Sequence, residues 1–373
     1  MKVLYLTNIP APYKVEFFSM LGEKVELTVM YERLCASNRD KDWKSEKKQS
    51  FKSVFLKGIK FGEEDAICFS VFNYLQKREY DFLIISGYST PTSMLAIAYC
   101  KFKSIPYFLS FDGGLCEQDF GIKKIVKKNL ICGAMGFLCP SKKLKQYLLR
   151  MGVEEVNIHM FPFSSVEKKN VLKHILNDRD KEELRKELDI KGNYVILGVG
   201  SFIYRKGFDI LLEALLFVKN DVEVYLIGGT QNQQYIDILQ KHNLKNVHLL
   251  NFMQYEQLKK YYMAADVFVL PTREDIWGLV INEAFANALP VVTTDKCGAG
   301  LELIDDGVNG YIVKSEQPKE LAKRIDDVLQ DSVKRVEMSK TALQTAKSYT
   351  LENMANTHMV ILKNVGLDKN REE

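Results

Sequence analysis

The chain has 373 residues, 46% of them hydrophobic and 27% charged, which are the proportions of ordinary globular proteins. Its length predicts two domains or one large one, and its net charge of +4 at pH 7 is too small to indicate a nucleic-acid-binding protein. The seven cysteines fit no zinc spacing, and no apolar run suits a transmembrane helix or a secretory signal, so we expect a cytoplasmic protein in a reducing compartment.

The first part of the chain predicts a parallel sheet with crossover helices. Short apolar runs alternate with helical patterns, and the runs end in loops rich in turn-forming residues. This order is typical of α/β domains. The predicted strands cover residues 3–6, 25–30, 82–85 and 107–110, and the predicted helices cover residues 13–21 and 91–101. The polar residues 36–50 predict a long loop.

A rise in polar residues between positions 164 and 191 predicts a domain boundary. We expect an N-terminal domain over residues 1–165, a second α/β domain over 166–348, and a C-terminal helix within 349–373. The second domain has predicted strands at residues 194–200, 222–227, 247–250, 267–270 and 290–293, and predicted helices at 207–218, 255–263 and 283–288. Open parallel sheets bind ligands at the carboxyl ends of their strands, so two such domains facing each other would enclose a cleft.

A loop of small and basic residues follows the first strand of the second domain. Gly200 and Ser201 allow a ligand to approach the backbone, and Arg205 and Lys206 place two cations before the next helix. These features predict a diphosphate site. A dinucleotide fingerprint would need a third glycine where Ile203 stands, and a P-loop would need Ser or Thr after Lys206. A tight turn with two solvated cations is the remaining alternative.

An acidic loop and the helix after it form a second candidate site. Asp275 precedes the helix and Glu283 lies in its second turn, so both carboxylates can point into one pocket. Carboxylates accept two hydrogen bonds in a fixed geometry, which suits sugar hydroxyls. The helix N-terminus near Gly278 offers backbone N–H groups to a phosphate. The alternative is an acidic N-terminal cap followed by a solvated glutamate.

Together these motifs resemble the retaining family 4 glycosyltransferases, also called glycosyl transferases group 1, which have the GT-B fold. The resemblance is strong over residues 194–345 and weak over the first half, where residues 8–13 are similar to an opening found in some members. It implies two facing Rossmann-like domains of doubly wound parallel sheets, an interdomain cleft, and a last helix that crosses back to the first domain. The residues that carry it are Ser201, Arg205, Lys206, Gly207, Asp275 and Glu283, with residues 284–292 and 302–311.

The resemblance also implies a role for each matching residue. Arg205 and Lys206 would hold the donor diphosphate and stabilise charge on the leaving group. Asp275 would contact hydroxyls of the transferred sugar, and Glu283 would hydrogen-bond the ribose of the nucleotide. The reaction would be a retaining hexosyl transfer from a UDP-linked sugar, with no metal and no cofactor. The further donor-side residues assigned to substrate binding are Gly200, Ser201, Glu274, Trp277, Gly278, Leu279 and Val280.

The sequence departs from the family pattern at two positions. The family usually has Glu at the first acidic position, whereas Asp275 is one methylene shorter, so either the sugar contact shifts or Glu274 makes it. Many members carry a histidine in the first domain near the reacting carbon, but this chain has none before His159. We predict that Asp112, after the fourth predicted strand, replaces that histidine; the alternative is a turn residue in an Asp-Gly-Gly sequence.

The first domain is expected to bind the acceptor, a saccharide or a lipid-linked or protein-linked hydroxyl, with Pro10 and Tyr13 in one of its binding loops. A basic stretch follows in the same domain. Its lysines recur at helical spacing between apolar residues, which predicts contact with an anionic membrane surface, or else an ordinary solvated helix face. The resemblance, through the family's common bacterial use, implies an enzyme of surface polysaccharide synthesis that is cytoplasmic or peripheral on the inner face of the membrane. The lysines are Lys123, Lys124, Lys127 and Lys128.

Other classes of protein remain open at this point. A GT-B epimerase or hydrolase would act on a nucleotide sugar without transfer to a hydroxyl acceptor. A non-catalytic subunit would bind the sugar nucleotide without turnover, although the presence of Arg205, Lys206 and Glu283 counts against it. A nicotinamide oxidoreductase is the weakest alternative, because the third glycine is missing. The five dispersed histidines predict no metal site.

Overall fold

The computed structural model describes residues 1–34, 49–61, 65–77, 79–114, 121–229 and 233–372. Contacts divide the chain into two compact units. The first unit comprises Met1–Ser165 together with Thr350–Glu373, and the second comprises Val166–Tyr349. Most of the loop predicted at residues 36–50 lies outside the described ranges.

The first unit is built on a parallel sheet. Its strands are β1 (Lys2–Thr7), β2 (Glu26–Tyr31), β3 (Lys52–Phe55), β4 (Ile59–Phe61), β5 (Asp65–Ile67), β6 (Phe82–Ser86), β7 (Phe108–Ser110), β8 (Gly136–Cys139) and β9 (Ile158–Met160). Seven of them form the sheet in the order β3-β2-β1-β6-β7-β8-β9, and β4 and β5 form a separate antiparallel pair. The helices are α1 (Pro12–Gly22), α2 (Phe72–Leu75), α3 (Pro91–Phe102), α4 (Gly121–Ile131) and α5 (Lys142–Arg150).

The second unit is built in the same way. Its strands are β10 (Tyr194–Val199), β11 (Val222–Ile227), β12 (Val247–Leu250), β13 (Val267–Leu270), β14 (Val291–Thr294) and β15 (Gly310–Val313), and they form a parallel sheet in the order β12-β11-β10-β13-β14-β15. Its helices are α6 (Asp178–Glu187), α7 (Phe208–Ala214), α8 (Gln233–Lys241), α9 (Tyr255–Ala264), α10 (Leu279–Ala286), α11 (Gly298–Leu303), α12 (Pro318–Leu329) and α13 (Ser332–Ser348). All four residues of β13 are 0% exposed, because parallel sheets are buried on both faces.

The last helix, α14 (Leu351–Glu372), belongs to the first unit and packs against α1. Its His358 is 0% exposed and lies between two aromatic rings, with ring centroids 4.8 Å from Phe17 and 4.5 Å from Phe161. Among the described residues, no helix combines the length and the apolar character that crossing a bilayer requires.

Two helix predictions were wrong at their ends. The helix predicted over 207–218 ends at Ala214, because the amides of Leu216 and Phe217 bond to carbonyls three residues back and tighten the chain into a turn. The helix predicted over 283–288 begins at Leu279, after the left-handed residue Gly278, and ends at Ala286.

Candidate functional site

The strand order of the second unit reverses between β10 and β13, because β10 pairs with β11 on one side and with β13 on the other. Open α/β sheets bind ligands outside the carboxyl ends of their strands at such a reversal. The loop after β10 (residues 200–207, the cationic loop) and the loop after β13 (residues 271–278, the acidic loop) both begin there. The topology therefore brings the two sequence-predicted motifs to one edge of one sheet.

Hydrogen bonds join the cationic loop to the acidic loop. The carbonyl of Arg205 accepts the backbone N–H of Arg273 at 2.9 Å and the hydroxyl of Thr272 at 2.8 Å. Gly207 has a φ of 67°, and a Cβ there would lie 2.2 Å from the carbonyl oxygen of Pro271. Only glycine permits both the conformation and this close approach.

The two predicted cations meet Asp275. Lys206 Nζ lies 2.5 Å from Asp275 Oδ2, and Arg205 Nη1 lies 3.6 Å from Asp275 Oδ1. Arg205 Nη1 also donates to the carbonyl of Glu274 at 3.1 Å. The side chains of Lys206 and Asp275 are 13% and 11% exposed, whereas that of Arg205 is 42% exposed. Arg205 is thus the more accessible cation, and Lys206 is held in place by the carboxylate.

The two neighbouring acids of the acidic loop differ in their surroundings. Asp275 is buried, and its backbone is fixed by its N–H to the carbonyl of Lys296 at 2.8 Å and by its carbonyl to the N–H of Gly298 at 3.0 Å. Glu274 is exposed. The sequence left open which of the two contacts the sugar. The structure pairs the Asp275 carboxylate with Lys206 and leaves Glu274 accessible to solvent.

Gly278 and Trp277 shape the start of α10. Gly278 has a φ of 97°, and a Cβ there would lie 2.7 Å from the sulfur of Cys297. The N–H groups of the first turn that follows, at Leu279 and Val280, have no partners within the helix. The Trp277 side chain donates from Nε1 to Asn282 Oδ1 at 2.9 Å, and the residue is 3% exposed. This burial suits a residue that supports the loop, rather than one that offers its ring to a ligand.

Glu283 lies in the second turn of α10 and faces α9. Tyr262 on α9 donates its hydroxyl to Glu283 Oε2 at 3.0 Å, and Tyr262 is 0% exposed. Burial, reinforced by the charge of Glu283, raises the pKa of Tyr262 well above its ordinary value. Tyr262 therefore orients the carboxylate as a neutral donor. The three tyrosines of the α9 sequence show no signal for this role, because the contact depends on how α9 and α10 pack.

Arg273 holds the acidic loop in place. Its guanidinium makes a bidentate pair with Asp209 at 2.8 and 2.7 Å and stacks on the ring of Tyr204 at 3.9 Å. It also pairs with Glu316, beyond β15. Its hydrogen bonds to Asp209 raise the pKa of Arg273 above its ordinary value. Sequence reasoning gave this residue no role, although it connects both loops to α7.

In the first unit, the predicted catalytic residue Asp112 follows β7 and is ion-paired. Lys14 Nζ lies 2.6 Å from Asp112 Oδ2 and donates to the hydroxyl of Thr7 at 3.0 Å. The Lys14 side chain is 9% exposed and that of Asp112 is 35% exposed. Lys14 was missed from the sequence, where it is one lysine on an otherwise apolar helix face.

The other predicted acceptor-side residues lie near β1. Pro10 is half-buried in the loop after that strand, and the ring of Tyr13 meets Phe163 edge-on with centroids 5.8 Å apart. The four lysines of the basic stretch lie on α4. Within the described ranges, no group of three or more His, Cys, Asp or Glu side chains is arranged to hold a metal ion.

Residues 180–345 match the family model of glycosyl transferases group 1. The second unit is a glycosyl transferases group 1 domain. The match contains both loops and α10, so the candidate site lies within the matched residues. The family resemblance expected from the motifs is thereby confirmed.

Known proteins extend the likeness of this chain beyond the matched domain. It is 32% identical to spore coat protein SA of Bacillus subtilis over 46% of its length, a match that spans about half (48%) of that protein. It is 22% identical to the N,N'-diacetylbacillosaminyl-diphospho-undecaprenol alpha-1,3-N-acetylgalactosaminyltransferase of Campylobacter jejuni, covering 78% of this chain and 80% of that one. The solved structure of Anabaena HepE in complex with UDP superimposes with a TM-score of 0.78 at 17% identity, covering 98% and 100% of the two chains.

The structural likeness confirms the expected GT-B fold class, because both units are Rossmann-like parallel sheets. The roles assigned to individual site residues stay predictions. The structure brings Arg205, Lys206 and Asp275 into contact and places Glu283 on the adjoining helix.

Proposed function

We propose that this chain is a retaining glycosyltransferase that moves a hexose from a UDP-linked donor to a hydroxyl acceptor. The observation that carries the proposal is the pair of cations, Arg205 and Lys206, held at the reversal of strand order beside the start of α10. Such an arrangement suits a diphosphate, because two cations lie on the loop beside a helix N-terminus, and both features attract anions. HepE, which was solved with UDP, supports the choice of nucleotide.

In the proposed reaction, the bond between the anomeric carbon and the diphosphate oxygen breaks. The acceptor oxygen bonds to that carbon on the same face, and the acceptor proton passes to the departing diphosphate. Arg205 and Lys206 stabilise the charge that develops on the leaving group, which is the task a metal ion performs in other enzymes. We therefore propose that transfer needs neither a metal nor a cofactor.

Asp275 is proposed to act mainly through Lys206. Its carboxylate lies 2.5 Å from the ammonium group and is 11% exposed, so it orients the cation toward the diphosphate. The exposed Glu274 is then the candidate for a sugar hydroxyl contact. Glu283, oriented by Tyr262, is proposed to accept from the ribose of the nucleotide.

The acceptor is proposed to be lipid-linked and to serve bacterial surface polysaccharide or glycoconjugate synthesis at the inner face of the membrane. The name of the Campylobacter relative states a diphospho-undecaprenol acceptor, and a 26% identical relative in Staphylococcus aureus is named for capsular polysaccharide biosynthesis. Asp112 would contact the acceptor or the sugar as a carboxylate oriented by Lys14.

Thermal unfolding against UDP, GDP and NAD, each in EDTA, tests the donor assignment. A ligand at 100 times its Kd stabilises by about 2.7 kcal/mol, so UDP should raise the Tm by several degrees. Glu283→Ala should remove most of that shift, whereas Glu182→Ala, an exposed change on α6 of the same unit, should not. A shift with NAD and none with UDP would overturn the proposal.

Product analysis then tests the reaction. With a UDP-sugar and hydroxyl acceptors, NMR should show a new glycoside with the anomeric configuration of the donor. Release of free sugar alone would indicate a hydrolase, and a changed nucleotide sugar would indicate an epimerase. Inverted configuration would contradict the retaining mechanism.

A further inference from the structure

The carboxylate of Asp275 lies between the two cations of the candidate site. Its Oδ2 is 2.5 Å from Lys206 Nζ, and its Oδ1 is 3.6 Å from Arg205 Nη1. Both groups that the proposed donor site offers to a diphosphate therefore share one carboxylate. Because the Asp275 side chain is only 11% exposed, water and salt screen its charge less than they would screen a surface charge.

The other charges of the cationic and acidic loops contribute less at this point. Arg273 is paired with two carboxylates, those of Asp209 and Glu316. Glu274 is exposed, so solvent screens its side chain. The two loops thus present a diphosphate with two positive charges and the negative charge of Asp275, which leaves a net charge of +1.

The negative charge of Asp275 is not needed to orient Lys206. The amide oxygen of an asparagine would accept the same hydrogen bond from the ammonium group. A carboxylate also opposes the approach of a diphosphate, because like charges repel. Compensation of a buried cation accounts for the contact with Lys206, but Arg205 is 42% exposed and retains much of its hydration. The charge of Asp275 therefore has a further consequence for the ligand.

The proposed reaction increases the negative charge of the nucleotide. The diphosphate of a UDP-linked sugar carries a charge of about −2, one for each phosphate. When the bond to the anomeric carbon breaks, the electron pair stays on the phosphate oxygen and the acceptor proton passes to it. The terminal phosphate of UDP then loses this proton to water above about pH 6, so that free UDP carries about −3 at pH 7.

We infer that Asp275 makes the site discriminate between donor and product. Its fixed negative charge lowers the affinity for free UDP more than the affinity for a diphosphate whose terminal oxygen is esterified, and so keeps the product from occupying the site. This inference rests on the proposed transfer from a UDP-linked donor and gives that site a preference for diphosphate diesters. It explains why a buried carboxylate lies beside cations that bind an anion.

Isothermal titration calorimetry of the full chain in EDTA tests the inference with two ligands, UDP and its terminal-phosphate methyl ester. They differ in the charge of the terminal phosphate and do not depend on the identity of the sugar. Asp275→Asn keeps the size and the hydrogen-bond acceptor but removes the charge. It should lower the Kd of UDP about tenfold and that of the ester only about threefold.

Three further variants control for effects other than charge. Asp275→Glu keeps the charge and should keep the ratio of the two Kd values near that of the unchanged protein. Asp189→Asn removes an exposed carboxylate 3.5 Å from Lys191 in the same unit and should alter neither Kd. Asp275→Ser is a second neutral variant, which gives the same comparison if Asp275→Asn does not fold.

The outcomes separate this inference from the proposed function. Equal weakening of both ligands in the neutral variants would reduce Asp275 to a residue that positions Lys206, and equal tightening would show a charge effect without discrimination. Either result overturns the inference alone, because UDP still binds. No binding of UDP to the unchanged protein would overturn the proposed donor site, and this inference with it.

Discussion

At the scale of single residues, the candidate site depends on charges that are paired inside the protein. Asp275 and Lys206 are both largely buried and lie 2.5 Å apart, while Arg205 stays accessible beside them. A buried carboxylate next to a cation fixes the position of that cation, although both charged groups lose hydration. In the proposed complex, the donor diphosphate would thus meet Lys206 in a position already fixed by Asp275, and Arg205 with more room to adjust its side chain.

Removing either cation should slow transfer. A charge-assisted hydrogen bond is worth roughly 1.5–3 kcal/mol, so Arg205→Ala and Lys206→Ala should each lower kcat/KM about 10- to 100-fold. Lys219→Ala, an exposed lysine of the same unit, should leave it unchanged. Full activity in either site variant, measured by UDP release, would contradict the assigned roles.

Arg273 should act as a positioning residue. Lysine keeps the charge but cannot form the bidentate pair with Asp209, so Arg273→Lys should loosen both loops. We expect a Tm several degrees lower and a UDP Kd raised about tenfold. Arg179→Lys makes the same change in an exposed ion pair with Glu183 and should change neither quantity. A lower Tm with an unchanged Kd for UDP would show that Arg273 stabilises the fold without positioning the site.

At the scale of elements, α14 is held in the first unit by a buried histidine. Nδ1 of His358 donates to the carbonyl of Met354 at 2.8 Å, and its Nε2 has no hydrogen-bond partner among the described residues. Burial lowers the pKa of His358 to about 4. The neutral ring therefore fits between Phe17 and Phe161, and the charged ring does not.

The first unit should lose stability in mild acid. Since the unfolded histidine titrates near 6.5 and the folded one near 4, the unfolded state binds the proton first as the pH falls. The free energy of unfolding should decrease between those values, by about 3 kcal/mol at most. His358→Asn should flatten this dependence in urea titrations, and His174→Asn, at an exposed position, should not. An unchanged slope in the His358 variant would contradict the assignment.

At the scale of the whole molecule, each unit has its own hydrophobic core. In the second unit, a buried carboxylate joins elements that are distant in sequence. Asp266 accepts Lys181 Nζ at 2.7 Å, Arg185 Nη2 at 2.5 Å and the N–H of Val195 at 2.8 Å. Burial alone would raise the pKa of Asp266, but the two cations overcome this effect and lower it.

Breaking this cluster should destabilise the second unit. Asp266→Ala leaves two half-buried cations without their buried carboxylate, which should cost about 3 kcal/mol. Glu187→Ala, which removes an exposed pair with Lys260, should cost less than about 1 kcal/mol. Hydrogen exchange should show lost protection in β10 and β13 while β6 and β7 stay protected. Equal losses of unfolding free energy in the two variants would show that the Asp266 cluster contributes no more than an exposed ion pair.

The sequence by itself determined the local features of this protein. Uninterrupted apolar runs such as residues 82–85 and 267–270 mark strands buried on both faces, and β6 and β13 lie there. The motifs at residues 200–207 and 275–283 were enough to recognise the family, because each is contiguous in the chain.

Only the tertiary structure decided which side chains meet. Lys206 pairs with Asp275 across 69 residues, and Lys14 with Asp112, because parallel strands bring the ends of distant segments to one edge. The support that Tyr262 gives Glu283 depends on helix packing in the same way.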